Sequence, residues 1–458
     1  MTDARGAPTL FGHPRGLLVI WSTEVWDRIS FHGMQALLTL YLADQLLLPA
    51  NIGKVVGIHE FRAGLEFFTG PLSVKALATQ IFGLYIGFVY FMPMVGAALG
   101  DALLGRRRAI ILGALLMSAG HFAMAFDASF LLALLLLILG AGLLRGNLQP
   151  QVGELYDRDD RRRTVAFQIY GAAVNLGAFI APLLTGQLAK SFGWHVGFGF
   201  AGFGMLIGLV IYTVWGRGLP SRPPALSGDK SVSDKLTTQD WRAIYFLVSL
   251  IPIASLFWVA QSQVWNTYNL WVQDHIELRF GHWEMPIPWL QSLDGLSPLF
   301  TVPFVLWVWH WQASRNREPN EFVKAAIGCF IFGLGTLWLG FAYLAYDANG
   351  RAPVLWAVVF HLVSNLGWVY FAPTMTALYS RSAPPQVSAT MIGVYSLSVT
   401  LGSFISGRLG SLYEHVSPTT FWTIHAALVS FGGVLLLIVG QTVARSRRAL
   451  AASGVANS

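Results

Sequence analysis

Long apolar stretches alternate with short polar breaks from Gly16 to Ala444. Each stretch reaches or exceeds the roughly 20 residues that a helix needs to cross a hydrocarbon core. Twelve can be marked. They run 16–48, 74–102, 108–127, 129–150, 164–190 and 194–215, then 241–273, 287–313, 322–346, 352–379, 386–413 and 418–444. A barrel would show short alternating segments instead, so the pattern predicts an all-α membrane protein. Between the sixth and seventh stretches lies GRGLPSRPPALSGDKSVSDKLTTQD, whose proline, serine, glycine and charge content predicts a solvated linker. The expected organisation is a six-helix bundle at 1–215, a cytoplasmic linker at 216–240, and a second six-helix bundle with a basic tail at 241–458.

Composition agrees. Of 458 residues, 54% are hydrophobic and only 12% charged, where a soluble chain carries about a quarter charged. The first stretch is too long and too charged to read as a cleaved leader. The single cysteine, Cys329, excludes a disulfide framework. The net charge of +7 reads as topology rather than as a nucleic-acid surface. With the N-terminus in the cytoplasm, 21 of the 30 Lys and Arg residues fall on that side, including the clusters at 105–108 and 157–163. This predicts an integral protein of a bacterial inner membrane with both termini cytoplasmic. The tail at 444–450 is basic and could touch anionic lipid. Six helices, a linker and six more resemble the plan of the major facilitator superfamily, whose substrate site lies near the bilayer midplane between two rocking halves.

The stretch STEVWDRISFHG, residues 22–33, puts ionisable groups inside the first span. Glu24, Asp27, Arg28 and Phe31 are spaced to share one helix face, and His32 follows Arg28 by four residues. One charge at mid-membrane costs about 2.5–3.5 kcal/mol on insertion scales, so such residues face a protein interior or a water-filled cavity. Glu24 and Arg28 have the i, i+4 spacing of an ion pair. A structural pair alone would not need a second acid and a histidine beside it. GAALGDALLGRRR, residues 96–108, places Asp101 near Arg106, a spacing suited to charge-assisted contacts that gate the cytoplasmic side. His121, His361 and His425 stand alone in their spans and read as packed interhelical donors. The sequence shows no GxxxxGK[ST] loop, no metal-spaced His/Cys cluster and no nucleophile elbow. Neither an enzyme nor an ATP-driven pump is expected, and neither cofactor nor metal.

Several stretches resemble one family. EVWDRISFHG (24–33) is similar to the ExxERFxYYG signature of the proton-dependent oligopeptide transporters, the POT family, with Glu24, Arg28 and Gly33 matching and Asp27 conservative. GAGLLRGNLQPQVGELY (140–156) resembles the fourth-helix GxGLLKPNxxxxxGxLY, with Arg145 for the lysine. FQIYGAAVNLGAFIAP (167–182) resembles the fifth-helix pattern at Asn175 and Gly177. LFWVAQSQ (256–263) and WLQSLDGL (289–296) resemble FWxxxEQ and WFQSLNPL. The resemblance implies the major facilitator fold of twelve transmembrane helices, working by alternating access as a monomer. It implies proton-coupled symport of small peptides or peptide-like compounds. Glu24, Asp27 and Arg28 would couple the proton, and Arg28 and Arg145 would hold the substrate carboxylate. Phe31, His32, Phe82, Asn175, Trp258, Ser262, Asp294 and Trp368 would line the rest of the substrate site.

The departures from the family pattern weigh as much as the matches. Ser262 and Trp368 stand where the family carries acids, Asp294 replaces an asparagine, and Phe82 replaces a tyrosine. Arg145 cannot release its proton as a lysine can. Glu24 is then the expected carrier, because protonating it would free Arg28 to grip an anion. With both C-terminal acids gone, a small organic anion or an N-modified peptide is an alternative cargo. A non-transporting sensor on the same fold is another. The partners expected are a substrate, protons and lipid, not nucleic acid.

Overall fold

The computed structural model describes residues 9–157, 160–220 and 236–452. Most of the expected linker, 221–235, lies outside the described residues. The first six spans are the helices Arg15–Tyr41, Val74–Leu99, Arg106–Ala123, Phe130–Glu154, Arg162–Phe192 and Trp194–Trp215. The seventh span is three pieces, Thr238–Ser249, Ile251–Gln263 and Thr267–His275, and the eighth is two, Pro288–Leu296 and Pro298–Ala313. The ninth to twelfth are Glu321–Gly340, Val354–Ser382, Ser388–Gly410 and Pro418–Ala452. Ten of the twelve are long and apolar enough to cross a membrane. The exceptions are the first, which carries Glu24, Asp27 and Arg28, and the third, which opens on three arginines. The twelve expected stretches are therefore all helical.

Two features were not legible in the apolar pattern. A short helix, Ile58–Thr69, sits between the first and second spans. Its Glu66 accepts from the Leu72 backbone N–H at 2.9 Å and from Arg62 at 2.8 Å. That backbone bond, with the Arg62 guanidinium, holds the Glu66 carboxyl below its ordinary range. The seventh span is also broken where a single helix was expected, and the eighth is broken at Gly295–Pro298, where glycine and proline interrupt it. Pro252 and Pro298 cannot donate a backbone hydrogen bond, and each stands at the start of a new piece. Around Val264–Asn266 the freed backbone is served by side chains: Gln291 donates to the Val264 carbonyl at 2.6 Å. Irregular backbone at membrane depth persists only when it is satisfied in this way.

The spans sort into two bundles. In the first, span 1 packs on spans 5 and 6, span 2 on span 4, and span 3 on spans 4 and 6. In the second, span 9 packs on spans 10 and 12, span 7 on spans 11 and 12, and span 8 on span 10. The bundles meet chiefly where span 2 runs along span 11 and span 5 along span 8. Glycine permits the first contact: a Cβ on Gly83 would lie 2.6 Å from the Gly407 Cα.

The polar links between bundles cluster at the span ends opposite the linker. Thr39 donates to Asn266 Oδ1 at 3.2 Å, and Asn266 Nδ2 donates to the Thr79 carbonyl at 3.1 Å. Lys75 pairs with Asp274 at 3.0 Å, Gln273 donates to Asp44 at 3.0 Å, and Lys190 pairs with Glu284 at 3.2 Å. These links hold the two bundles together on the side opposite the linker.

Candidate functional site

A cavity of about 300 Å³ lies between the bundles at mid-span. From the first bundle it is lined by Arg28, His32, Gln35, Ile86, Tyr90, Val174, Asn175 and Ala178. From the second it is lined by Trp258, Gln261, Ser262, Trp265, Asp294, Pro298, Asn365, Trp368, Val399 and Ser403. Of the substrate residues expected from sequence, Arg28, His32, Asn175, Trp258, Ser262, Asp294 and Trp368 are thus brought together on one surface. Gly177 lets the fifth span approach, since a Cβ there would come 2.3 Å from the Arg28 Cβ.

Behind the first-bundle wall four charges form a chain. Arg28 Nε donates to Glu24 Oε1 at 2.6 Å and lies 3.5 Å from Asp27 Oδ2. Arg145 Nε donates to Asp27 Oδ2 at 3.0 Å and its Nη2 to Asp27 Oδ1 at 3.4 Å. Glu24 and Asp27 are fully buried, with 0% exposure. Two carboxylates and two guanidiniums cancel, which is how so much charge is tolerated inside a span. The Glu24–Arg28 pair follows the i, i+4 reading. Asp27, expected to couple the proton with Glu24 and Arg28, makes its closer bonds to Arg145. Glu24 Oε2 has no hydrogen-bond partner, so the carboxyl has an oxygen left to receive a proton.

Three expected substrate residues do not line the cavity. The Arg145 guanidinium stacks on the Phe31 ring at 4.1 Å and turns to Asp27. Phe31, 2% exposed, is the platform under that stack rather than part of the wall. Its place on the Glu24 face aims it at the fourth span. Phe82 is fully buried. It shares a face with Ile86 and Tyr90, but it sits one turn further toward the closed end, where the bundles are already in contact.

The second-bundle wall is different. Ser262 and Trp368, the two departures from the family acids, are both in it. Its ionisable groups are Asp294 and His361, which follows its expectation as an interhelical donor. His361 Nδ1 donates to Asp294 Oδ1 at 2.8 Å. Asn365 Nδ2 donates to the Asp294 carbonyl at 3.4 Å. The signal was present: His361, Asn365 and Trp368 recur at i, i+4 and i+7 on one face of the tenth span. Of the other lone histidines, His425 departs from its expectation: its Nε2 accepts from Gln263 Nε2 at 3.1 Å and its Nδ1 donates to the Phe421 carbonyl of its own helix at 2.8 Å, while neither ring nitrogen of His121 has a partner.

Both walls keep polar capacity in reserve. His32 Nδ1, Gln35 Oε1, Trp258 Nε1, Ser262 Oγ, Asp294 Oδ2 and Ser403 Oγ are buried atoms of lining residues without a hydrogen-bond partner. Unsatisfied buried polar atoms are costly and call for an explanation; these six belong to residues of the cavity wall, while others are spread through both bundles. Asp101 and Arg106, expected from sequence to gate the cytoplasmic side, pair as their spacing suggested. Arg106 donates to Asp101 at 3.2 Å and to Glu154 at 2.8 Å. Those contacts join the second, third and fourth spans within the first bundle.

The comparisons agree with this geometry. The Major Facilitator Superfamily profile matches residues 36–407. An uncharacterized transporter of Bacillus subtilis (strain 168), YclF, is 28% identical, covering 93% of this chain and 94% of that one. The peptide transporter YePEPT of Yersinia enterocolitica subsp. palearctica is 27% identical, covering 96% of each. A crystal structure of a POT family transporter with a thioalcohol-conjugated peptide superposes with a TM-score of 0.80 at 23% identity, covering 95% of this chain and 98% of that one. The chain belongs to the major facilitator superfamily.

Proposed function

We propose that this protein is a proton-coupled symporter of small peptides or peptide-like compounds. The observation that carries this reading is the polarity of the cavity: Arg28 stands on one wall and Asp294 on the other, with unsatisfied polar atoms between them. A short peptide presents a carboxylate, amide groups and an ammonium in that order. Arg28 receives the carboxylate through its planar fork. Asn175, Ser262 and Ser403 meet the amides, and Asp294 receives the ammonium. Trp258, Trp265 and Trp368 offer ring faces to side chains.

Glu24 carries the proton. With Glu24 ionised, Arg28 is held back by its partner at 2.6 Å. With a proton on Glu24, Arg28 is released to the substrate. Arg145, screened by Asp27 and Phe31, balances charge rather than touching the ligand. Asp101 and Arg106 stiffen the first bundle on the linker side as it rocks. The basic loops place that side, with both termini, in the cytoplasm of a bacterial inner membrane, where the protein acts as a monomer. The state described is then closed to the outside.

The test is uptake into liposomes by the purified protein. Dipeptides should accumulate under an inward proton gradient, and a protonophore should abolish the accumulation. Binding without flux would favour a sensor. A second cargo reading rests on Ser262 and Trp368: with two family acids gone, an N-modified peptide or an organic anion fits the same wall. Binding of a dipeptide more weakly than its N-acetyl form would favour it.

A further inference from the structure

We propose that His361 sets the charge of the cavity's second-bundle pole, so that a proton on His361 and an ammonium on the substrate compete for Asp294. The proposal rests on the peptide reading above and assigns a role to a residue outside the family's motif positions.

Three observations carry it. First, His361 is fully buried at 0% exposure, and its one hydrogen bond of side-chain Nδ1 goes to Asp294 at 2.8 Å. That bond fixes the Nδ1–H tautomer of the neutral ring and leaves Nε2 as the basic lone pair. Second, Nε2 has no partner, and neither has Asp294 Oδ2. The imidazole therefore keeps a lone pair for a proton, and the carboxylate, whose side chain is 14% exposed, keeps unused capacity for a cation. Third, Asp294 lines the cavity while His361 lies behind it. The histidine reaches the ligand only through the aspartate and is a positioning residue.

No other charge in the surroundings performs this task. From the seventh span, the Tyr268 ring meets His361 edge-on with centroids 5.2 Å apart, and its hydroxyl has no partner. The tenth span itself adds the neutral Asn365, and the fifth span adds the neutral Asn175. On the ninth span Lys324 is engaged by Glu318 at the linker end, and on the eleventh Arg408 donates to the Thr69 carbonyl at the opposite end. Across the cavity, the first span presents Arg28 and His32, with Glu24 and Asp27 behind them. Asp294 and His361 are thus the titratable acid and base of the second-bundle wall.

The proton balance is simple. When His361 is neutral, Asp294 holds a net negative charge and an ammonium pairs with it. When Nε2 takes a proton, the imidazolium cancels the carboxylate and the ammonium loses its partner. Since an α-amine keeps its proton below about pH 7.7–8.0, the ligand's charge is constant over the range in which a histidine titrates.

The experiment compares the affinity of one dipeptide with that of its N-acetyl form, on the purified full-length protein, between about pH 5 and pH 7. Both ligands keep the carboxylate, so their ratio cancels what happens at Glu24 and Arg28. The preference for the free amine should rise by about tenfold as pH rises through that range, the equivalent of about 1.4 kcal/mol. His361→Gln, which retains a donor, should hold the preference at its high-pH value throughout. Asp294→Asn should abolish it at every pH. A wild-type preference that does not change with pH overturns the inference and needs no variant to fold. A pH dependence that survives His361→Gln also overturns it. Failure to bind either ligand overturns the peptide reading itself, and this inference with it.

Discussion

On the first-bundle side of the cavity, Glu24, Arg28, Asp27 and Arg145 form a continuous chain of bonds between 2.6 and 3.5 Å. On the second-bundle side there is one carboxylate, Asp294, with one histidine behind it, among tryptophans, serines and amides. The first wall is built from opposed full charges that cancel until one of them is titrated. The second is nearly neutral, and a single proton can decide its sign. A buried charge needs its partner far more than an exposed one. The first wall is therefore expected to be sensitive to any one deletion, and the second to report mainly in ligand preference.

Breaking the first wall should produce the largest effects. Asp27→Asn leaves two guanidiniums against one carboxylate and should destabilise the protein by about 3–5 kcal/mol, the cost of breaking a buried pair from one side. Thermal unfolding in detergent measures it. Adding Arg145→Gln should recover much of the loss, because the two residues share one interaction. Next, Arg28→Lys should weaken dipeptide binding by about thirtyfold, or about 2 kcal/mol, through loss of the bidentate fork. Arg145→Lys should shift thermal stability more than affinity, since Arg145 is stacked on Phe31 and absent from the wall. Titration calorimetry on the two variants separates those roles.

The second wall should respond more mildly. Asp294→Asn should abolish the preference for a free amine over its acetylated form, a change of about tenfold near neutral pH, while leaving carboxylate-dependent binding in place. Smallest of all should be the ligand effect of Phe82→Leu. This variant should cost about 1–2 kcal/mol in stability as a core truncation. Its dipeptide affinity should stay unchanged, because Phe82 lies outside the cavity. A shift in affinity there would mean that the wall extends further toward the closed end.

The twelve spans were legible because bilayer thickness imposes a length on every apolar run, and seven of the ten expected substrate positions line the cavity. What the chain did not disclose depends on three-dimensional reach. Helical spacing puts Phe31 on the Glu24 face, but only the approach of the fourth span shows that Arg145 stacks on it. Phe82 occupies the correct face at the wrong depth, and depth depends on where the bundles close. His361 looked isolated because its partner lies 67 residues away on another span. The breaks in the seventh span needed Gln291 to be seen beside Val264. The Arg145–Phe31 stack, the depth of Phe82 and the partner of His361 are long-range contacts that no local pattern encodes, whereas the breaks at Pro252 and Pro298 have a local cause.

The central claim is that the first wall converts proton binding at Glu24 into substrate capture by Arg28. Uptake of a radiolabelled dipeptide by Glu24→Gln protein in liposomes tests it most directly. The account predicts that accumulation under an inward proton gradient is lost, while exchange of labelled for unlabelled dipeptide without a gradient persists. Gradient-driven accumulation equal to that of the wild type would contradict it.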